Sequence, residues 1–320
     1  MSKYNILILA PFDFIKIPTQ ILNNGDFNLH LKYKKEKTIN LKLSSDIDGL
    51  ITDPGANYKI DSKFLSKFKN LKVIVTPSTG VNHIDNDYCK ANKIFVYCLL
   101  DDRRSLNKIT ASAEFTFASL LMGLRKIKKV IHSDLYNWRT REELYRGFEL
   151  SGKKIGIIGY GRIGRKINEF AIPFKASCIF YDPYVNKYNI KKIKKTNSIK
   201  LIFKTCDVIV ICPYLTSTSN KLINFSLLKV IKKNALIVNT SRGEIINEND
   251  LIKLIKLRKD IFINLDVIQN EQQILKNNRL IELSKKDNNL FITPHIAGLT
   301  YESQIKAGLF ALKKITNFFM

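Results

Sequence analysis

The sequence predicts an α/β protein of two domains, each built on a doubly wound parallel sheet. Three observations carry this. Short runs rich in β-branched residues recur at 4–10, 47–52, 71–75, 155–158, 208–212 and 235–239, separated by stretches of helical spacing. Strands that alternate with helices pair in parallel, because a parallel connection requires a crossover. Most of the runs are closed by proline, glycine or a polar turn, and the 320 residues exceed what one hydrophobic core usually organises.

Residues 4–10 (YNILILA) read as a buried strand closed by Pro11, and a charged, irregular passage follows. The strand at 47–52 is closed by Asp53, Pro54 and Gly55. Ile60, Phe64, Leu65 and Phe68 then keep helical spacing ahead of a third strand at 71–75. In open parallel sheets ligands bind beyond the carboxyl ends of strands. The loop at that end of the third strand is Thr76-Pro77-Ser78-Thr79-Gly80-Val81-Asn82. With Gly80 able to turn backbone N–H groups outward, it is an anion cradle or an ordinary turn. A strand at 94–98, a polar crossing at 101–107 and a long, mostly apolar helix at 113–124 come next. Small residues on that helix suit close packing, inside the protein or against a second subunit. Residues 136–149, with the only tryptophan, Trp138, lack a clean period and read as a loop or short-helix arm.

Residues 153–165 (KKIGIIGYGRIGR) hold a strand, a Gly-x-Gly-x-x-Gly turn and the start of a helix, the context in which that turn carries meaning. Gly159 allows the tight turn, Gly161 lets the backbone approach a pyrophosphate, and Gly164 lets helix and strand pack closely. The helix N-terminus offers N–H groups to the anion. The next strand, at 179–181, ends in Asp182. Its carboxylate can accept from both ribose hydroxyls of an adenosine and repels a 2′-phosphate, so the pair indicates NAD rather than NADP.

The basic segment 185–200 reads as surface. A strand at 208–212 is closed by Pro213 at the sheet edge where the dinucleotide should lie, and a helix at 226–231 leads to the strand at 235–239. That strand runs into Thr240-Ser241-Arg242-Gly243-Glu244. Arg242 there either clamps a substrate carboxylate through two parallel hydrogen bonds or pairs with Glu244. Asp250 opens a helix, and the strand at 261–267 carries Asp266 near its end, with Glu271 shortly after. The last strand, 290–292, is followed by Thr293-Pro294-His295. Of the four histidines only His295 follows a strand of the cofactor sheet. An imidazole both gives and takes a proton near neutrality, and a carboxylate such as Glu271 would fix the ring. Alone, His295 is a packed loop residue; with Arg242, Glu271 and the glycine turn it becomes a candidate general acid and base.

The blocks Gly80-Val81 with Asp85, Ala113-Glu114, the glycine turn with Asp182, residues 239–244, Leu265-Asp266-Val267 and Thr293-Pro294-His295 resemble, in order, the D-isomer-specific 2-hydroxyacid dehydrogenase family on its phosphoglycerate dehydrogenase-like side. The resemblance covers nearly the whole chain. It implies a Rossmann NAD-binding domain at 103–299, inserted into a flavodoxin-like substrate domain formed by 1–102 and 300–320, with the active site in the interdomain cleft of a homodimer. It implies that His295 donates the proton to a 2-keto acid, Glu271 orients it, and Arg242 holds the carboxylate with help from backbone N–H groups at Thr79, Gly80 and Val81. Cofactor contacts are implied at Gly159, Gly161, Arg162, Ile163, Gly164, Asp182, Cys212, Pro213, Thr240, Asp266 and His295. Two positions depart from the pattern: Glu271 is followed by Gln272 where proline is common, and Cys212 stands where histidine is common, with Pro213 one place early. The chain stops soon after His295, and a regulatory C-terminal domain is not expected.

The formal charge of +25 comes mostly from lysine spread through every segment. The runs at 32–35 and 191–195 hold one aromatic, Tyr33, too little for a base-stacking surface, so they read as solvated faces and not as a nucleic-acid site. No secretory segment and no run long enough for a membrane span is present, and a cytoplasmic protein is expected. The five cysteines are scattered without metal-site spacing, so no metal is expected and the thiols should be reduced. The rival functions are an NAD(H)-sensing interaction protein like the co-repressors of this fold, and a polyanion binder drawn by charge.

Overall fold

The computed structural model describes residues 4–23, 25–32, 46–55, 59–133, 142–186, 193–271 and 277–320. Residues 136–141 of the expected arm, with Trp138, and residues 33–35 and 191–192 of the basic runs lie outside them. The chain divides into two compact units, Met1–Thr110 with Leu299–Met320, and Ala111–Gly298.

The first unit holds a five-stranded parallel sheet of β1 (Tyr4–Ile8), β2 (Phe27–Leu31), β3 (Gly49–Ile51), β4 (Val73–Val75) and β5 (Phe95–Tyr97), in the order β2-β1-β3-β4-β5. The three inner strands are short and apolar because both faces are covered. β2 lies in the passage expected to be irregular. It is an edge strand in which only Phe27 is buried, so it leaves no apolar run to read. The polar crossing likewise contains the helix Arg103–Asn107, whose N-terminus Asp102 caps by accepting from the N–H groups of Arg104 and Ser105. The helix Tyr301–Phe319 completes this unit. It buries Ala307, Gly308, Ala311, Leu312 and Ile315, and a methyl group on Gly49 would lie 2.8 Å from the Ile315 side chain.

Beneath the carboxyl ends of these strands, His83 Nε2 and the Thr52 hydroxyl share a buried hydrogen bond of 2.9 Å. Burial pushes the His83 pKa from 6.5 down to about 4, so the folded ring is neutral. Between those values the unfolded chain binds the extra proton. This contribution to stability is complete above about pH 6.5 and is lost as pH falls toward 4, to the order of 3 kcal/mol. Denaturant midpoints of the wild type should therefore decline across that window. His83→Gln, which does not titrate, should show a flatter profile.

The second unit holds a seven-stranded parallel sheet of β6 (Lys154–Ile158), β7 (Ser177–Tyr181), β8 (Ile193–Lys195), β9 (Val208–Ile211), β10 (Leu236–Asn239), β11 (Phe262–Leu265) and β12 (Leu290–Ile292). Its order is β12-β11-β10-β9-β6-β7-β8. β6 pairs with β7 on one side and β9 on the other, so the strand order reverses there and the loop after β6 opens at a topological switch point. β8, in the segment expected as surface, is an edge strand that buries only Ile193. The helices at 226–231 and from 250 are Phe225–Leu228 and Glu248–Leu257, the latter capped by the Asn247 side chain.

The helix Ala111–Leu124 uses its small residues against this sheet. A methyl group on Gly123 would lie 2.7 Å from the Leu236 side chain, and Asn264 Nδ2 donates to the Ser119 carbonyl at 2.6 Å. Lys128 extends its ammonium into the carbonyls of Ser284, Asp287 and Leu290, tying off the C-terminus of the helix Arg279–Lys286. Among the described residues no helix is long and apolar enough to cross a membrane.

Candidate active site

The turn after β6 is built as its glycines require. Gly159 has φ +85°, and a methyl group there would lie 2.6 Å from the Pro213 nitrogen, so both conformation and space demand glycine. A methyl on Gly164 would lie 2.4 Å from the Gly159 carbonyl oxygen, whereas nothing stands within 4 Å of the same position on Gly161. The helix Arg162–Ala171 starts at Gly161 with no side chain capping it, and its first residues, Arg162 and Ile163, are half-buried. Asp182 at the end of β7 accepts from the N–H of Tyr160 through one oxygen, at 2.8 Å, and from that of Tyr184 through the other, at 2.9 Å. Each oxygen keeps capacity for a further donor. An open position over an uncapped helix N-terminus, beside a fixed carboxylate, fits a dinucleotide.

Further along the same edge, Cys212 and Pro213 follow β9. Burial pushes the Cys212 thiol up to about 12, so it is a neutral packing group, and the Pro213 carbonyl accepts from the Ser241 hydroxyl. Thr240 is buried, its hydroxyl 2.6 Å from that of Thr116. Asn239 shapes the turn that carries Arg242. Its Oδ1 accepts from the Ser241 N–H at 3.0 Å and its Nδ2 donates to the Arg242 carbonyl at 2.9 Å. The Arg242 guanidinium donates to the Ser241 carbonyl and makes no ion pair with Glu244 among the described residues. A methyl on Gly243 would lie 2.0 Å from the Ile268 carbonyl carbon, so this turn rests directly on the loop that follows β11.

That loop and the one after β12 meet at Asp266. Its buried carboxylate accepts from the Thr293 hydroxyl and from the N–H groups of Ile296, at 2.9 Å, and Ala297, at 2.8 Å. Its carbonyl accepts from the His295 N–H at 2.8 Å. Burial pushes the Asp266 carboxyl upward while these hydrogen bonds pull it back. His295 itself has φ +54°, a left-handed conformation unusual for a residue with a side chain, which costs about 1–3 kcal/mol and persists only where the surroundings over-determine it. Asp266 is what over-determines it here. His295 Nδ1 lies 2.6 Å from Glu271 Oε2, and Glu271 Oε1 accepts from the Ile268 N–H at 3.1 Å. The His295 side chain is 46% exposed, so with Nδ1 committed to the carboxylate it is Nε2 that faces outward.

In the first unit the loop after β4 is held by its own hydroxyls. Ser78 Oγ pairs with Thr76 Oγ1 at 3.0 Å and donates to the Gly80 carbonyl at 2.8 Å, and Thr79, Gly80 and Val81 are half-buried. Asp266, a cofactor residue by resemblance, and Asn239, to which the resemblance gives no role, each organise a loop. The available signal was an acid and an amide closing buried strands with no basic residue beside them, since such groups must find donors and acceptors in the backbone.

Residues 117–297 match the NAD binding domain of the D-isomer specific 2-hydroxyacid dehydrogenases. The chain belongs to the D-isomer-specific 2-hydroxyacid dehydrogenase family. It is 31% identical over 285 residues to the erythronate-4-phosphate dehydrogenase of Wigglesworthia glossinidia brevipalpis, covering 88% of this chain and 65% of that one. It is also 31% identical over 314 residues to the D-3-phosphoglycerate dehydrogenase of Methanocaldococcus jannaschii, covering 97% of this chain and 56% of that one. The chain thus spans less than two thirds of the length of these relatives. The NAD+-bound 3-phosphoglycerate dehydrogenase of Entamoeba histolytica superposes with a TM-score of 0.79 at 25% identity, over 99% of this chain and 96% of that one. As expected of this 2-hydroxyacid dehydrogenase family, the fold is two parallel-sheet α/β domains. The compact unit that carries the glycine turn is Ala111–Gly298, where 103–299 was expected, because the helix Arg103–Asn107 packs with the first unit.

Proposed function

We propose that this chain is an NAD-dependent dehydrogenase that interconverts a D-2-hydroxy acid and its 2-keto acid, with phosphoglycerate or a glycerate-type acid as the substrate class. The observation that carries this is the Glu271–His295 hydrogen bond of 2.6 Å, on the sheet edge that also bears the glycine turn and the half-buried Arg242. Gly159, Gly161, Arg162, Ile163, Gly164 and Asp182 would hold the adenosine and pyrophosphate of NAD, with Cys212, Pro213, Thr240, Asp266 and His295 along its remaining length. When bound, NAD supplies the hydride acceptor or donor.

The chain's own residues handle charge and protons. His295 Nε2 gives a proton to the oxygen of the 2-keto acid in reduction and takes it from the hydroxyl in oxidation. Glu271 holds the ring through Nδ1 with Nε2 outward. Arg242 binds the substrate carboxylate through two parallel hydrogen bonds, assisted by the N–H groups of Thr79, Gly80 and Val81. The protein acts as a homodimer in the cytoplasm, a reducing compartment that suits its five free thiols.

The test is NADH oxidation, followed at the nicotinamide absorbance, with 3-phosphohydroxypyruvate, hydroxypyruvate, glyoxylate and other small 2-keto acids. Turnover of at least one acid, faster with NADH than with NADPH, is expected. Tight NADH binding with no acid reduced would replace this reading with that of an NADH-sensing protein.

A further inference from the structure

Between β11 and Glu271 the loop runs through a bend and a turn with no helix or strand to fix it. Asn270 in it takes a left-handed φ of +55°, and the sequence places Gln272 rather than a proline after Glu271. Glu271 nevertheless meets His295 at 2.6 Å, a contact that a displacement of one ångström would break. The loop is held from the segment just after Arg242, at three points. The Gly243 backbone lies against Ile268, the Ile246 carbonyl accepts from Gln269 Nε2 at 2.7 Å, and Glu248 Oε1 accepts from the Gln269 N–H at 2.8 Å.

Of these points Glu248 is the one made by a side chain of the bracing segment. The plain explanation of a glutamate at the first position of the helix Glu248–Leu257 is complementarity to the helix dipole. An exposed carboxylate would serve that purpose. Glu248 is instead half-buried with its oxygen on another loop, and burial together with the nearby Glu244 charge pushes its carboxyl upward, so the ionised form is held there at a cost. A group kept in an unfavourable place by one hydrogen bond to a loop two residues from Glu271 is placed for that loop.

We infer that Glu248 is a positioning residue for the Glu271–His295 pair, acting through the backbone of Gln269 to hold Glu271 in register with the imidazole; this rests on the catalytic reading of that pair given above. The turn of Arg242 is fixed separately by Asn239, so Glu248 acts on the proton-transfer pair and not on the carboxylate clamp.

The test compares Glu248→Ala with Glu248→Gln, whose amide oxygen still accepts from the Gln269 N–H. Glu248→Ala should lower kcat about 10- to 100-fold, while the KM for the keto acid and the Kd for NADH stay within about twofold, and Glu248→Gln should restore most of the loss. In a Glu271→Ala background Glu248→Ala should cost almost nothing further, because the two act on one interaction. Hydrogen exchange provides a readout that needs no turnover. In Glu248→Ala the peptide covering residues 266–271 should exchange faster, while peptides of β6 and β7 stay at wild-type rates. Wild-type exchange at 266–271 overturns the proposal, as does an undiminished cost in the Glu271→Ala background or a Glu248→Gln variant as impaired as Glu248→Ala. If the wild type reduces no keto acid, the dehydrogenase reading fails and the exchange result still decides whether Glu248 holds the loop.

Discussion

His295→Ala should lower kcat for keto-acid reduction by about 10²- to 10⁴-fold, the range supplied by a positioned general acid, with NADH affinity falling far less because the glycine turn and Asp182 still hold the cofactor. The oxygen that gains negative charge as the carbonyl is reduced must be protonated as it forms. Water can reach the site, since the His295 side chain is 46% exposed, so some turnover should remain. Water lacks the fixed direction that Glu271 imposes through Nδ1. Glu271→Gln should be milder, because an amide oxygen still accepts from Nδ1 but gives the cation no charge partner. Steady-state kinetics with NADH titrations on both variants check this. A His295→Ala enzyme within tenfold of wild type would remove His295 from the chemistry.

Asp266→Ala should be nearly as damaging, through a different route. The substitution takes the acceptor from the buried N–H of Ala297 and from the part-buried Ile296 N–H and Thr293 hydroxyl. Buried donors without partners cost about 1–3 kcal/mol each, and the left-handed backbone of His295 keeps only its own N–H bonds to the Asp266 and Thr293 carbonyls once the residues on either side are released. A local penalty of about 3–4 kcal/mol leaves the working arrangement in roughly one molecule in 10²–10³, so kcat/KM should fall by that factor. The relief of a buried carboxylate offsets part of this, which sets the lower end. The rest of the sheet does not depend on the loop, so the denaturant midpoint should move far less than activity. Asp266→Asn should lie between, since one of its two side-chain atoms can still accept. Equal loss of global stability and activity would show that Asp266 supports the whole unit and not the His295 loop.

The inner strands of both sheets were legible in the sequence because burial on two faces forces unbroken apolar runs, as at Val208–Ile211. The glycine turn was legible because each glycine meets a steric demand that no other residue satisfies. Arg242 and His295 stood out as chemical side chains at strand ends. β2 was missed because its Phe27, Leu29 and Leu31 alternate with Asn28 and His30 and form no continuous apolar run. β8 was not legible, since this edge strand buries only Ile193 and is otherwise polar. Nor was the role of Asp266, which depends on bringing residues 266 and 293–297 together across neighbouring strands. The conformation of His295 left no trace in its own identity. The polar stretch 101–107 misled because aspartate reads equally as a loop residue and as a helix cap.

The helix Tyr301–Phe319 packs on strands laid down at the other end of the chain, filling space around Gly49 and Ile6 with Ile315. A ribosome delivers those strands first and this helix about two hundred residues after the last of them. Until then the face formed by Ile6, Ile8, Ile51, Val73 and Val75 lacks its cover, while Ala111–Gly298 can close its own core as it emerges. Synthesis therefore sets an order: the later-made unit matures before the earlier one. Through that interval the nascent chain carries an open apolar sheet that is a target for chaperones and an opening for aggregation.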